Sequence, residues 1–202
     1  MKLYQMHKAP NPRRVRMFMA EKSITAELVE LDLQKGENLT QEMRAKNPLG
    51  KVPVLELDDG TCISECTAIY TYLESQFPEP PLMGTTAVEN AQVVMWEHQV
   101  ELALMLQIGM CFQHTTGYFR DRMTPIPEYG HEAGKIAQQY MKLLDRRLGE
   151  FQFIAGDFFS AADITALCAI DFGRVVDIRI AEEHSNLARW HAEVSKRESA
   201  KA

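Results

Sequence analysis

A proline-rich break, Phe77-Pro78-Glu79-Pro80-Pro81-Leu82-Met83-Gly84, does most to limit how this chain can fold. No helix interior or central strand tolerates such a run, because proline lacks the N–H and its ring clashes with the preceding turn. The two stretches it separates also read differently. Before it, Leu3–Met6 reads as a strand, Pro12–Lys22 as a helix, Glu27–Leu31 as a second strand and Leu39–Lys46 as a short helix. Two further strands flank the turn Asp58-Asp59-Gly60, and a helix-periodic run follows through Tyr70, Leu73 and Phe77. After the break the periodic stretches are helical, as in Val93, Trp96, Val100, Leu104 and Ile108, and again in Ile136, Tyr140, Leu143, Leu144 and Leu148.

The first stretch therefore has the order β-α-β-α-β-β-α, whose opening crossover implies a parallel strand pair. The thioredoxin-like fold has this order. The expected architecture is α/β plus all-α: a thioredoxin-like domain over residues 1–78, a linker over 79–86 and a helical-bundle domain over 87–202.

Composition narrows the function classes. The 202 residues carry a net charge of -6, with lysine and arginine scattered rather than gathered in a stripe. That distribution speaks against nucleic acid or an anionic membrane surface as partner. No apolar run is long enough to span a bilayer and the N-terminus lacks a secretory pattern, so a cytoplasmic protein is expected. The four cysteines, Cys62, Cys66, Cys111 and Cys168, form no Cys-x-x-Cys pair, which suggests neither a zinc site nor a redox pair. Reduced thiols and no metal are expected.

The chemistry concentrates between Asn47 and Ile69. Asn-Pro-Leu-Gly-Lys51-Val52-Pro53-Val-Leu-Glu-Leu leads to the Asp-Gly turn, and Thr-Cys-Ile-Ser64-Glu65-Cys66-Thr-Ala-Ile opens the next helix. A helix start presents N–H groups without intrahelical partners and a partial positive charge, which suit a carboxylate. Glu65 beside it suits an ammonium. A second motif, Ala155-Gly156-Asp157-Phe158-Phe159-Ser160-Ala-Ala-Asp163-Ile164, has the capping-box spacing of Ser160 and Asp163, with Phe159 and Ile164 placed as a hydrophobic staple. Together these strings resemble the cytosolic glutathione transferase superfamily, the first in its glutathione-binding half and the second in its helical domain. The resemblance runs over essentially the whole chain and is to bacterial-type members, with an atypical catalytic position.

The resemblance implies a role for each matching residue. Val52 would bond the cysteinyl backbone of glutathione like an added strand, presented by a cis Pro53. Glu65 would take the γ-glutamyl ammonium, and residue 66 its carboxylate; Cys66 stands where serine is usual, and a thiol donates more weakly than a hydroxyl. Lys35 and Lys51 are candidates for the glycyl carboxylate. The thiol itself must be held as thiolate: near pKa 8.5 it is about 3% ionised at pH 7, and a fall of about two units raises that to roughly 75%. Members place Tyr, Ser or Cys near the first helix for this purpose, but here Ala9 occupies the usual serine position. Asn11, read as an N-cap before Pro12 at the first helical position, is the expected catalytic residue, with His7 as the other candidate. No cysteine stands here, which separates the chain from the disulfide-exchange branches.

A pocket for the second substrate is expected between the domains, with Tyr118 and His114 among its lining and Met105, Met110 and Phe112 nearby. Three functions follow as expectations. The first is a glutathione transferase acting on small hydrophobic electrophiles or hydroperoxides, with detoxification as its role. The second is a glutathione-binding carrier or regulatory protein with little catalysis, and the third a glutathione-dependent isomerase or dehalogenase. Glutathione is the expected co-substrate, and the resemblance implies a homodimer.

Overall fold

A computed structural model describes the whole chain, residues 1–202. It divides into two compact units, Met1–Pro81 with Lys201–Ala202, and Leu82–Ala200. The first unit holds one four-stranded sheet of β1 (Lys2–Gln5), β2 (Glu27–Glu30), β3 (Val54–Glu56) and β4 (Cys62–Ser64). The order is β2-β1-β3-β4, with β1 and β2 parallel and the other two pairs antiparallel. Helices α1 (Pro10–Glu21), α2 (Gln41–Lys46) and α3 (Cys66–Gln76) complete it. This is the β-α-β-α-β-β-α order expected of a thioredoxin-like domain.

Alternation along the strands gives the sheet two working faces. Leu3 pairs with Leu55, and both are wholly buried, as are Val15 and Phe18 of α1 and Ile69, Tyr70 and Leu73 of α3. Phe18 and Tyr70 stack with ring centroids 4.5 Å apart, joining the two helices. Tyr4 and its partner Val54 face the other way and cluster with Met43 of α2. Each such large side chain contributes roughly 1.5–3 kcal/mol on burial. A buried cation closes the unit: Lys22 Nζ donates to the carbonyls of Phe77 and Pro80, 2.7 Å each, and pairs with Glu74 at 2.8 Å. It thereby binds a carbonyl at the end of α3 and the chain at the start of the proline segment.

Two element boundaries differ from the sequence reading. Helix α1 begins at Pro10 with Ala9 as its N-cap residue, so Asn11 is inside the first turn and does not cap it. Both prolines fit there because first-turn residues need no N–H, and Pro10 supplies a helical φ two residues earlier than expected. The segment read as one helix from Leu39 is a 3-10 turn, Glu37–Leu39, followed by α2. Thr40 divides them by accepting the Met43 N–H at 3.3 Å through its hydroxyl, since a short polar side chain favours a cap over a helix interior.

The second unit is helical: α4 (Ala87–Val100), α5 (Leu106–Thr115), α6 (Pro127–Glu150), α7 (Ala161–Gly173) and α8 (Ser185–Val194). A five-residue π segment, Glu101–Met105, interrupts what reads in sequence as one continuous helix. Helix α7 is buried on every side from Ala161 to Ile170, which makes it the centre of the unit. The capping box at its start is present: Asp163 Oδ2 accepts from the Ser160 N–H and hydroxyl, 3.0 Å each, and Phe159 and Ile164 are both buried. Helix α6 approaches α5 closely at Gly130, where a Cβ would lie 2.7 Å from Thr115 Cγ2. No helix is long and apolar enough to cross a membrane.

Candidate functional site

The hairpin register gathers most of the expected site at one end of the sheet. Val54 pairs with Ser64, so Val52 and Pro53, just before β3, lie at the same end as Glu65 and Cys66, just after β4. The Val52–Pro53 peptide is cis. Glu65 is exposed and immediately precedes α3, with φ 69° and ψ 128°, and its side chain makes no capping hydrogen bond. A non-glycine residue in that region costs of order 1–3 kcal/mol and persists only where its surroundings impose it. Here a carboxylate is held out to solvent beside a helix start whose N–H groups favour an anion. Opposite charges presented side by side can take both ends of an amino-acid group.

Cys66 is turned toward the first helix. Its thiol donates to the Asn11 carbonyl at 3.4 Å, so the hydrogen expected to reach a ligand carboxylate is already engaged. The backbone N–H of residue 66 is then the group suited to that carboxylate. The same bond brings the first turn of α1 against the start of α3. Asn11 Oδ1 accepts from Arg14 Nη1 at 2.9 Å, which leaves the amide Nδ2 hydrogens to donate elsewhere. Tyr4, a hydroxyl on β1, is tied to the α2 side: it donates to Glu56 at 2.9 Å, and Lys46 lies 5.1 Å over its ring. Burial, then the Glu56 carboxylate, raise its pKa.

The two lysines differ. Lys51 is exposed directly before Val52, whereas Lys35 pairs with Asp32 at 3.2 Å and is 76% exposed. The loop that presents Lys51 and Val52 is built by residues that sequence reasoning passed over. Asn47, only 2% exposed, donates through Nδ2 to the Lys51 carbonyl at 3.0 Å and accepts the Leu49 N–H at 3.1 Å. Asn38 donates to the Gly50 carbonyl at 2.6 Å. Gly50 has φ +60°, and a Cβ there would lie 2.9 Å from Leu39 Cδ2 and 3.2 Å from the Asn38 carbonyl. The Asn-Pro-Leu-Gly string carried the available signal, since asparagine bonds its own backbone two residues on and glycine allows positive φ.

Tyr118 and His114 belong to the helical unit. Tyr118 packs in an aromatic group with Phe112 and Phe119, at centroid distances of 5.2 and 4.7 Å, and Phe112 also meets Phe172 at 5.2 Å. His114 Nδ1 accepts the Ile126 N–H at 2.9 Å, and its ring meets the Tyr129 ring edge at 5.0 Å. That bond uses Nδ1 as the acceptor. No group of three or more His, Cys, Asp or Glu side chains is arranged to hold a metal ion.

A four-stranded thioredoxin-like sheet joined through a proline segment to an all-helical unit is the architecture of the cytosolic glutathione transferases. Residues 3–81 match the family described as glutathione S-transferase, N-terminal domain, and residues 110–198 the glutathione S-transferase C-terminal domain. Glutathione S-transferase 2 of Saccharomyces cerevisiae is 36% identical over 203 residues, covering 98% of this chain and 87% of that protein. A crystal structure of a glutathione S-transferase domain-containing protein from Marinobacter aquaeolei superposes with a TM-score of 0.95 at 40% identity, covering 98% of this chain and 99% of that one. Elongation factor 1-gamma-A of Xenopus laevis is 30% identical over 159 residues, which are 76% of this chain but 34% of that protein. The chain belongs to the glutathione S-transferase family.

Proposed function

We propose that the chain binds glutathione as thiolate at the hairpin end of its first unit and transfers it to small apolar electrophiles. The supporting observation is Glu65, an exposed carboxylate kept at φ 69° with no capping bond at the start of α3. Glu65 takes the γ-glutamyl ammonium, the N–H groups opening α3 take its carboxylate, and Val52 pairs with the cysteinyl backbone as an added strand. Pro53 presents Val52, Cys66 contributes its backbone, and Lys51 and Lys35 attract the glycyl carboxylate. Asn11 Nδ2 and the positive end of α1 stabilise the sulfur anion. The thiolate then attacks an electrophilic carbon, forming the C–S bond as the leaving group departs with its electron pair. With a hydroperoxide, two glutathiones become one disulfide while the peroxide yields alcohol and water. Tyr118 and His114 face the second substrate, the chain works in the cytoplasm as a homodimer, and detoxification is its role.

Binding is tested by titrating the protein with glutathione in a calorimeter while following thiolate absorbance near neutral pH. Heat together with a thiolate signal supports the transferase, and Glu65→Gln should weaken binding by about tenfold or more, because a charge-assisted contact is lost. Absence of binding to the parent protein would sink the reading. A carrier with little catalysis is the second reading. Ala9, which offers no side-chain donor where the family places one, favours it, as does the relative named an elongation factor. Heat without ionisation would select it.

A further inference from the structure

The loop between β1 and α1 is gripped more firmly than a surface turn requires. Glu30, at the end of β2, accepts the His7 N–H on Oε1 at 2.6 Å and the Gln5 side-chain amide on Oε2 at 3.1 Å. Arg16, on α1, donates from Nη2 to the His7 carbonyl at 3.0 Å and from Nη1 to Gln5 Oε1. His7 is thus held at both its N–H and its C=O, and the Gln5 amide bridges the acid and the base. Gln5 is 3% exposed and Arg16 7%, so water competes little for the bond between them, while Glu30 and His7 lie at the surface. Arg16 Nη2 also donates to the Ala202 backbone oxygen at 3.4 Å.

Where the clamp lies gives it a consequence for chemistry. The loop it fixes leads directly into the first turn of α1, through Ala9 N–H to the Met6 carbonyl at 3.0 Å and Arg13 N–H to the Ala9 carbonyl at 3.3 Å. Arg16 rises from that same helix, so the clamp ties helix to loop as well as loop to sheet. With no side-chain donor at residue 9, no N–H on Pro10 or Pro12 and the Arg13 N–H bonded to the Ala9 carbonyl, the groups left to meet a sulfur anion are the side-chain amide and backbone N–H of Asn11. Their effect depends on placement, since a preorganised donor stabilises charge only where the charge forms. A guanidinium reaches two acceptors in one plane, which a lysine ammonium on a flexible stem does not reproduce.

We propose that Arg16 and Glu30 are positioning residues that, by gripping His7 on both sides, set the first turn of α1 against the glutathione sulfur and so lower its pKa. This rests on the thiolate reading above and adds to it two residues that need not touch glutathione. Thiolate absorbance of bound glutathione is followed against pH in the parent and in Arg16→Met, Glu30→Ala and Glu30→Gln, alongside kcat and KM with an activated aryl chloride. Arg16→Met and Glu30→Ala should each raise the bound thiol pKa by about one unit and lower turnover about tenfold near pH 6.5. KM for glutathione should change by less than about threefold, because the Val52 and Glu65 contacts are untouched. Glu30→Gln keeps an oxygen for the His7 N–H and should recover most of the shift seen in Glu30→Ala. Glu30 is exposed, so its variants carry the test even if Arg16→Met does not fold. A thiolate formed by the parent and ionising at the same pH in both Glu30 variants overturns the clamp alone. Loss confined to KM does the same. A parent that binds glutathione without ionising it overturns the thiolate reading and the clamp together.

Discussion

In its proposed role, Glu65 serves binding at the expense of stability. Its φ of 69° suits glycine, and its side chain adds no capping bond to α3. Glu65→Gly should therefore leave the urea midpoint unchanged or raise the unfolding free energy by about 1 kcal/mol, while glutathione affinity falls about tenfold or more. The pair of measurements is what matters: a loss of stability equal to the loss of affinity would make Glu65 a structural residue. At this scale the sequence was informative about which residues gather at the hairpin end of the sheet and weak about those that shape the loop. Val52, Glu65 and Cys66 could be named from their string. The Cys66 thiol bond to the Asn11 carbonyl could not, because it joins residues 55 apart along the chain. Asn38 and Gly50 are likewise linked only by the fold, 12 residues apart.

Among the elements, the start of α7 is held by buried polar contacts. Asp163 Oδ1 accepts from the Ile154 N–H at 3.0 Å and from Trp190 Nε1 of α8 at 2.8 Å, while Oδ2 serves Ser160. One carboxylate thus fastens the preceding loop and α8 to the helix that centres the unit. Burial pushes the Asp163 carboxyl up to about 6, with these hydrogen bonds opposing the rise. An unfolded aspartate titrates near 3.9, so the folded chain holds the extra proton between about pH 4 and 6. The associated stability is complete below about pH 4 and is lost as pH rises through 6. The difference in unfolding free energy between the parent and Asp163→Asn, which lacks this titration, should shrink by on the order of 2–3 kcal/mol from pH 4 to pH 7. Urea midpoints across that range measure it, and a flat difference would contradict the raised pKa. The capping box was legible because its partners lie three residues apart. The contribution of Trp190, 27 residues on, was not. Helix boundaries were blurred for a similar reason: with two prolines in one first turn the sequence reading starts the helix at Pro12, and the packed structure starts it at Pro10.

For the molecule as a whole, the proline break and the change of periodicity across it were enough to foresee an α/β unit followed by a helical one. The number of copies is a separate matter, since apolar periodicity does not reveal whether a face meets its own chain or another. Exposure shows only which apolar side chains this chain leaves open to solvent. Val88, Met95 and Leu102 recur every seven residues and are 68%, 47% and 46% exposed, and Leu106 follows one turn later at 42%. A seven-residue interval keeps side chains on one helical face, so the helical unit presents an apolar stripe that its own packing leaves uncovered. In a two-fold dimer the same patch is used by both copies, so a charge placed on the stripe is brought near its symmetry mate. The double variant Met95→Glu, Leu102→Glu should therefore sediment as a monomer of 23.0 kDa, with the parent at about twice that mass. Both positions are solvent-facing within the chain, so helical circular dichroism should be unchanged and stability should move by less than about 0.5 kcal/mol. A parent sedimenting at 23.0 kDa would remove the homodimer. A parent and variant both at twice that mass would place the dimer contact on another face. Glutathione titration of the monomeric variant then separates assembly from binding: Val52, Glu65 and Cys66 all belong to the first unit, so heat of binding should persist after the dimer is broken.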